Sequence, residues 1–423
     1  MHRLSKFKNG LTYISVPVSG TKAATFLVMV PIGSRYENKK LNGASHFVEH
    51  LMFKGTEKRP TTLDISRELD AVGAQFNAYT NKEYTGYFIK IDSAKEELAM
   101  DILSDMIFNS RFDAGEVQKE KGVIIEEIKM YEDNPMAAVE DLIEKNLFGD
   151  SPLGWNIAGT KKGIGKMSRQ ELFSYYKSVY APKNMVLVAA GKINGKTARL
   201  AQKYFGQKRS QANLTKEKFL KFRSFKKAAL SGRVLSDKRK IDQAHTIIAF
   251  PGIKSSDPRR YALSVLLNIL GGGMSSRLFV EVREKRGLAY RVRADASLFR
   301  DTGAVYISSG LDQGRLQEAF RVIKAEIKKI SSLPVTKKEL ADAKNCLSGH
   351  LTLAMEDSRV QAEWFAEKFW FDSNLESFTG MVKKIRKVTA AQILRLAKEI
   401  FREDIMRVAV ISSKEKSNIL KLI

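Results

Sequence analysis

The sequence is poor in the features that mark several classes of protein. It contains a single cysteine, Cys346, so an intrachain disulfide is impossible, which is typical of a reducing compartment. It has no run of about 18 apolar residues, so we predict no membrane-spanning helix. The N-terminal residues are partly basic, but no apolar run follows them. We therefore expect no secretory signal and a cytoplasmic location.

The charge is unbalanced, with 72 basic residues against 47 acidic ones and a net charge of +25. This excess is spread along predicted helical faces without interleaved aromatic residues, and no common nucleic-acid-binding motif is present. We interpret it as a solvated, lysine-rich surface and predict no nucleic-acid partner. Binding to nucleic acid or to an anionic membrane surface is the alternative, which salt-sensitive binding would favour.

The chain is long enough for two to four domains, since a typical domain has roughly 100–200 residues. Its two halves resemble each other: residues 163–193 and 384–414 each begin with a Ser or Thr cap, continue as a helix and end in a β-branched strand. Residues 91–121 and 311–344 form a second pair of similar amphipathic helical segments. We therefore predict an internal duplication.

We predict an α+β fold of two homologous, α/β-sandwich-like domains, each with a mixed or antiparallel sheet and helices packed on one face. The N-terminal domain is predicted to carry the chemistry and the C-terminal one to lack a metal site. A basic, apolar-poor stretch separates them. The predicted boundaries are 1–210 for the first domain, 211–240 for the linker and lead-in, and 241–423 for the second domain.

The segment HFVEH at 46–50 holds two of the five histidines. On a helix, His46 and His50 stand on one face, one turn apart, and can present both imidazoles to one ion. Glu49 lies beside them and can take a proton from a water on that ion. The HxxEH pattern therefore predicts a catalytic zinc site with an open position.

A third ligand is expected from the acidic helix at 116–135. Glu120 and Glu127 are two helical turns apart on one face, so Glu127 can bind the metal while Glu120 supports it. Glu126 points about 100° away from that face. The residues alone barely favour Glu127 over Glu126.

These residues resemble the pitrilysin/insulinase metallopeptidases, and most of all the bacterial relatives of the mitochondrial processing peptidase β subunit. The resemblance covers nearly the whole chain, with its motifs in family order and at family spacing. They are GASHFVEHLMFKGT (43–56), GAQFNAYTNKEYTGY (73–87), EKGVIIEEIKMYEDNP (120–135), LGWNIAGT (153–160) and SSRLFVEVREKRGLAY (275–290).

The resemblance implies a role for each residue of the predicted metal site. His46 and His50 match the zinc histidines, and Glu127 matches the zinc glutamate. Glu49 matches the general base, and Glu120 matches the assisting acidic residue. The choice of Glu127 over Glu126 follows from the resemblance.

The resemblance also implies residues that bind substrate. Asn77 and Ala78 match the edge strand on which these enzymes lay a peptide by strand addition. Arg283 and Tyr290 match a pair that the second half offers to the substrate and the tetrahedral oxyanion. Without the resemblance, FNAYT is an ordinary half-buried strand and Arg283 is a solvated cation.

The second half departs from the metal motif. YALSV (261–265) aligns with HFVEH but has no ligands, and His350 lies near the position of Glu127 without partners. We therefore expect one zinc ion per chain. Gly271, Gly272 and Gly273 precede no Gly-Lys-Ser/Thr sequence, so we interpret them as a helix end rather than a phosphate loop.

The family encloses a chamber with four related domains, and this chain supplies two, which is half of the clamshell. The resemblance therefore implies a dimer, for which a homodimer is the simplest interpretation and a heterodimer with an inactive relative is an alternative. A dimer is not required if Arg283 and Tyr290 serve the site of their own chain. We predict a zinc endopeptidase that hydrolyses oligopeptides or unfolded precursor segments. The alternative is a catalytically silent scaffold or partner subunit.

Overall fold

The computed structural model describes residues 2–207, 222, 225, 229–372 and 375–422. They form two compact units, each assembled from separate stretches of the chain. The first unit takes its described residues from 2–129, 156–207 and 352–375, and the second from 130–155, 222–351 and 376–422.

The strands follow one another as β1 (Arg3–Lys6), β2 (Thr12–Pro17), β3 (Ala23–Val30), β4 (Gln75–Thr80), β5 (Thr85–Asp92), β6 (Val186–Gly191), β7 (Val234–Lys238), β8 (Gln243–Pro251), β9 (Ala289–Leu298), β10 (Gly303–Asp312) and β11 (Arg407–Ser412).

The helices are α1 (Ala44–Leu51), α2 (Thr62–Asp70), α3 (Glu96–Asn109), α4 (Ala114–Asp133), α5 (Pro135–Phe148), α6 (Lys161–Lys166), α7 (Arg169–Val179), α8 (Gly195–Tyr204), α9 (Leu230–Arg233), α10 (Arg260–Gly271), α11 (Leu316–Ser332), α12 (Lys337–Ala354), α13 (Ser358–Phe371), α14 (Phe378–Arg386), α15 (Ala390–Ile400) and α16 (Lys416–Leu420). A π-helical segment spans Phe279–Glu284.

The sheet of the first unit is mixed. Its described strands lie in the order β1-β2-β6-β3-β5-β4, where β2 and β6 are parallel and the other neighbours are antiparallel. The central strands β3 and β6 are almost continuously apolar and buried, as expected for strands covered on both faces. Strand β4 lies at the edge and alternates in polarity.

Helices cover both faces of this sheet. Helices α1, α3 and α7 contribute to the main core on one face. On the opposite face, Ala362, Phe365 and Ala366 of α13 pack against β2, β3, β5 and β6. A buried hydroxyl pair, Thr25 and Ser358 at 2.8 Å, joins β3 to the start of α13.

The second unit repeats this plan. Its described strands lie in the order β7-β11-β8-β10-β9, with β7 and β11 parallel and the rest antiparallel. Helices α10, α11 and α15 build the main core on one face. Helix α5 covers the other face through Val139, Ile143 and Leu147.

The predicted fold class is confirmed, since each unit has a mixed sheet with a main layer of helices on one face. Within the part of the chain that the structure describes, one helix also packs on the opposite face of each sheet. Helix α13 comes from the second half of the sequence and α5 from the first, so each covers the sheet of the other half. The compact units therefore differ from the continuous stretches 1–210 and 241–423.

The two repeated helices begin as their sequences predict. Ser168 and Thr389 each accept a hydrogen bond from a backbone amide three residues on and form capping boxes with Glu171 and Gln392. Of the predicted linker and lead-in, residues 211–221 lie outside the described residues, whereas 234–238 form β7. No helix among the described residues is long and apolar enough to cross a membrane.

Candidate metal centre

Helix α1 presents His46 and His50 on one face, one turn apart. Their Nε2 atoms face each other at 3.2 Å, and the ring planes are inclined by 64°. Glu127 of α4 brings its Oε2 atom to 3.6 Å from His46 Nε2 and 3.5 Å from His50 Nε2. Among the described residues, this is the group of potential metal ligands that the fold brings together.

This triangle fits a zinc ion. Zn–N bonds of about 2.0–2.1 Å in a tetrahedral site place neighbouring donor atoms roughly 3.3–3.4 Å apart. The Glu127 Oε2 atom is buried and has no hydrogen-bond partner among the described residues. A buried carboxylate oxygen without a donor is costly unless a cation satisfies it. The donor set and its spacing therefore suit a cation that binds all three atoms.

Glu120 lies behind His50. Its carboxylate is 3% exposed and accepts a hydrogen bond from His50 Nδ1 at 2.8 Å, while Lys54 Nζ is 2.8 Å from its other oxygen. Burial acts to raise the pKa of Glu120, but the hydrogen bonds from His50 and Lys54 together with the charges of these two residues outweigh it, and the pKa is lowered. An ionised Glu120 keeps the proton of His50 on Nδ1 and leaves Nε2 free to bind a metal.

Glu126 points elsewhere. Its side chain is exposed and pairs with Lys129 at 2.7 Å on the same helix. The structure therefore separates the two neighbouring glutamates that the helical spacing alone barely distinguished, and it directs Glu127 toward the histidines.

Burial and neighbouring charges tune the α1 side chains. Burial, followed by the proximity of His50, lowers the pKa of His46 to about 3, so its imidazole is neutral near pH 7. Burial acts to lower the pKa of His50. The hydrogen bond to Glu120 and the nearby carboxylates have the larger, opposite effect, so the pKa of His50 is raised. A neutral imidazole is the form that binds a metal ion.

Glu49 lies on the same helix and is 9% exposed. Burial raises its pKa, with a further contribution from Glu127, while a hydrogen bond from Thr80 Oγ1 acts in the opposite direction. A carboxylate with a raised pKa is a better general base near neutral pH than an ordinary one. Thr80, at the end of β4, orients this carboxylate.

Strand β4 carries Asn77 and Ala78 at the free edge of the first sheet. Asn77 is exposed, and its side-chain oxygen accepts a hydrogen bond from the Ala78 amide at 2.8 Å. An edge strand offers unpaired backbone groups to an added peptide. A peptide that used the Ala78 amide would have to displace the Asn77 side chain.

The sequence matches two family descriptions in tandem. Residues 13–161 match "Insulinase (Peptidase family M16)", and residues 166–347 match "Peptidase M16 inactive domain". An uncharacterized zinc protease of Bacillus subtilis is 33% identical over 94% of this chain and 95% of its own length.

The chain belongs to the insulinase family of zinc metallopeptidases.

A second sequence relative and a solved structure are also similar to this insulinase-family chain. An uncharacterized zinc protease of Streptomyces coelicolor is 34% identical over 94% of this chain and 87% of its own. The crystal structure of a protease from Helicobacter pylori has a similar fold, with a TM-score of 0.91, 21% sequence identity, and coverage of 97% of this chain and 99% of that one.

In the second unit of this insulinase-family protein, the fold brings Arg283 and Tyr290 together. Arg283 lies in the π-helical segment Phe279–Glu284, a geometry often found at functional sites. Its guanidinium donates to the Tyr290 carbonyl at 2.9 Å and lies over the rings of Phe279 and Tyr290. Tyr290 is 74% exposed, so its hydroxyl is available to a ligand.

Helix α10 of the second unit carries no counterpart of HFVEH. Residues 261–265 are mostly buried and contain no His, Asp or Glu. On α12, His350 lies beside Cys346, with the sulfur 3.8 Å from Nδ1. These two residues belong to no group of three potential ligands among the described residues.

Three residues that contact this site were not predicted from the sequence. Thr80 bonds Glu49, Lys54 pairs with Glu120, and Glu37 accepts hydrogen bonds at the start of α1. Lys54 had a local signal, because it stands four residues after His50 and one turn beyond it. Thr80 and Glu37 had none, since Thr80 is 31 residues from Glu49, and the amides that Glu37 accepts from lie beyond the span of a capping motif.

Proposed function

We propose that this insulinase-family chain is a zinc-dependent endopeptidase that hydrolyses oligopeptides or unfolded precursor segments. One observation carries the proposal: His46, His50 and Glu127 place three donor atoms 3.2–3.6 Å apart. Glu49 lies on α1, the helix that carries the two histidines. One zinc ion per chain is bound by these three residues. Zinc bound there supplies a Lewis acid and lowers the pKa of a bound water toward about 7.

The side chains of the protein perform the remaining steps. Glu49, held by Thr80, takes the proton of the attacking water and delivers it to the leaving amine. Glu120 fixes the tautomer of His50 through Nδ1. These roles are supported by the raised pKa of Glu49, the lowered pKa of Glu120, and the hydrogen bonds that each makes.

The substrate peptide adds to β4 as a further strand beside Asn77 and Ala78. Backbone hydrogen bonds then hold it with little dependence on sequence. Arg283 and Tyr290 donate to the substrate carbonyl and to the oxyanion that develops on it. The working form is a homodimer, because one chain carries both sets of residues but only two domains of the clamshell.

The test compares the parent protein with Glu49→Gln, which should keep the metal ligands and lose the base. We would measure bound zinc and incubate both proteins with a mixed set of unstructured peptides. We expect one zinc per chain in both proteins and cleavage by the parent that chelator and Glu49→Gln each abolish. A parent that binds no zinc and cleaves nothing would make the scaffold alternative the better one.

A further inference from the structure

A short segment between β3 and α1, residues 33–37, carries two charged side chains in the interior of the first unit. Arg35 is 1% exposed and Glu37 is 4% exposed. Large charged side chains are rarely this buried unless each has a specific partner. We call residues 33–37 the brace, because its two charged side chains reach two different elements of the candidate site.

Glu37 reaches the N-terminus of α1. Its Oε2 atom accepts a hydrogen bond from the Gly43 amide at 2.7 Å, and Oε1 accepts one from the Ser45 amide at 2.6 Å. The first amides of a helix have no partner within the helix, and they favour a negative charge. Glu37 therefore caps α1 from a distance, and Ser45 directly precedes His46.

The residue at the N-cap position of α1 cannot provide this cap. Gly43 has a φ of 99°, which favours glycine, and a Cβ there would lie 2.7 Å from the Ala158 carbonyl oxygen. Asn42 instead donates to Glu37 at 3.2 Å and to the Asn156 carbonyl at 3.0 Å. The start of α1 is thus fixed by contacts that end on the Glu37 carboxylate.

Arg35 reaches the turn between β4 and β5. Its Nη1 atom lies 2.6 Å from Glu83 Oε1, and its backbone amide donates to the Lys82 carbonyl at 2.8 Å. This turn directly follows Thr80, whose hydroxyl donates to Glu49. The brace therefore contacts both the helix of the metal histidines and the hairpin that orients the candidate base.

We propose that Glu37 is a positioning residue for zinc: by capping α1 it fixes the turn that carries His46 and so the separation of the two Nε2 atoms. Arg35 positions Thr80, and through it Glu49, in the same way. This inference rests on the proposed zinc site. Ligand positions matter because metal–ligand distances tolerate errors of only about 0.2 Å.

The test measures zinc affinity directly, by competition between the metal-free protein and a zinc indicator. Glu37→Gln keeps the size of the side chain but replaces one acceptor oxygen with a donor that faces Gly43 or Ser45. We expect it to weaken zinc binding about 10–100-fold, the range seen when partners of metal ligands are removed. Glu37→Asp, which keeps the charge but shortens the reach, should give an intermediate affinity.

Asn194→Ala is the matched control, because Asn194 caps α8 in the same unit and contacts no candidate ligand. It should lower the melting temperature and leave zinc affinity unchanged. Equal zinc affinity in the parent and Glu37→Gln would overturn the role of Glu37, as would an equal loss in Glu37→Gln and Asn194→Ala. A parent that binds no zinc would instead overturn the proposed function.

The Arg35 contact has a separate readout. Glu83→Gln removes the charge that holds Arg35 and leaves the cap of α1 intact. We expect zinc affinity to stay at the parent value while kcat for peptide cleavage falls about tenfold, as for a catalytic group slightly misplaced. A change in zinc affinity with unchanged kcat would contradict this division of roles within the brace.

Discussion

Helices α1 and α10 occupy equivalent places in the two units but differ in what they bury. Each follows a long antiparallel strand, β3 or β8, that lies inside its sheet. Helix α10 buries apolar residues and Tyr261. Helix α1 buries an apolar face as well, but it also buries Glu49 and Ser45 and carries two half-buried histidines. The fold requires the apolar face, and the metal chemistry is an addition to it.

The polar residues of α1 require several partners, whereas the buried polar side chain of α10, Tyr261, donates its hydroxyl to Glu376. Glu120 accepts a hydrogen bond from His50, Thr80 donates one to Glu49, and Glu37 accepts hydrogen bonds from the first amides of α1. Because an unpaired buried polar group costs about 1–3 kcal/mol, each of these partners offsets a cost that an apolar helix avoids. Among the described residues, two buried atoms of the candidate site have no hydrogen-bond partner, His46 Nδ1 and Glu127 Oε2, and the second of these faces both histidine Nε2 atoms.

The strongest test of the comparison exchanges equal substitutions between the halves. His46→Ala removes a proposed ligand, whereas His350→Ala removes a histidine that belongs to no group of three potential ligands within the described ranges. We expect the zinc affinity of His46→Ala to fall by more than the roughly 10–100-fold loss that is typical when a hydrogen-bond partner of a metal ligand is removed. Peptide cleavage should be lost as well. His350→Ala should retain both. Zinc analysis of the two purified variants decides the matter, and equal retention would remove the asymmetry.

A second test asks whether the half without metal ligands contributes to catalysis. Arg283→Met removes the proposed oxyanion donor and should lower kcat about 100–1000-fold at unchanged zinc content. Arg293→Met is the control, since Arg293 is an exposed cation of strand β9 that pairs loosely with Asp295 at 3.7 Å. Steady-state kinetics of both variants give the answer. Parent-like cleavage by Arg283→Met would remove the proposed role of Arg283 and leave Tyr290 as the candidate donor of the second unit.

A third test concerns two glutamates on one helix. Glu120→Gln keeps the size of the side chain but weakens the acceptor for His50 Nδ1, so zinc affinity should fall about 10-fold or more. Glu126→Gln changes an exposed residue paired with Lys129 and should have no effect. Zinc competition with an indicator measures both. Identical affinities would mean that His50 needs no carboxylate behind it.

The sequence predicted the features that follow from local spacing. In the candidate site, His46 and His50 could be paired because positions four apart share a helical face. Elsewhere in the fold, the helix caps Ser168 and Thr389 could be predicted because a capping box spans only four residues. Helical spacing did not show whether Glu127 or Glu126 is the ligand. Which of the two faces the histidines depends on how α4 packs against α1, and the local sequence does not show this. The resemblance to a known family was needed there.

Other features depend on contacts that leave no local trace. An amphipathic helix such as α13 shows that it has a face to bury but not which sheet will cover it. It was therefore not predicted that α5, from the first half of the sequence, belongs to the second unit, and that α13, from the second half, belongs to the first. Glu37 likewise caps a helix that begins seven residues later, beyond the span of any capping motif.

The smallest expected effect concerns stability rather than activity. It tests whether the buried carboxylate that caps α1 lowers the free energy of unfolding. Burial raises the pKa of Glu37 from 4.5 to about 7, although hydrogen bonds from Ser45, Gly43 and Asn42 oppose the shift. A carboxyl with a raised folded-state pKa is most favourable to folding below its unfolded pKa, and this contribution is lost as pH rises through the folded value.

The parent should therefore lose about 1–3 kcal/mol of unfolding free energy from this group between pH 4.5 and 7, because each pKa unit is worth about 1.4 kcal/mol. Glu37→Gln has no proton to lose, so its melting temperature relative to the parent should rise across that interval and level off above it. Glu126→Gln, which alters an exposed carboxylate, should give a flat difference. Thermal unfolding of the three metal-free proteins against pH measures this, and a flat curve for Glu37→Gln would show that the buried carboxylate carries no penalty. With the expected slope and weakened zinc binding together, the Glu37 charge would cost the fold stability while holding the metal histidines in place.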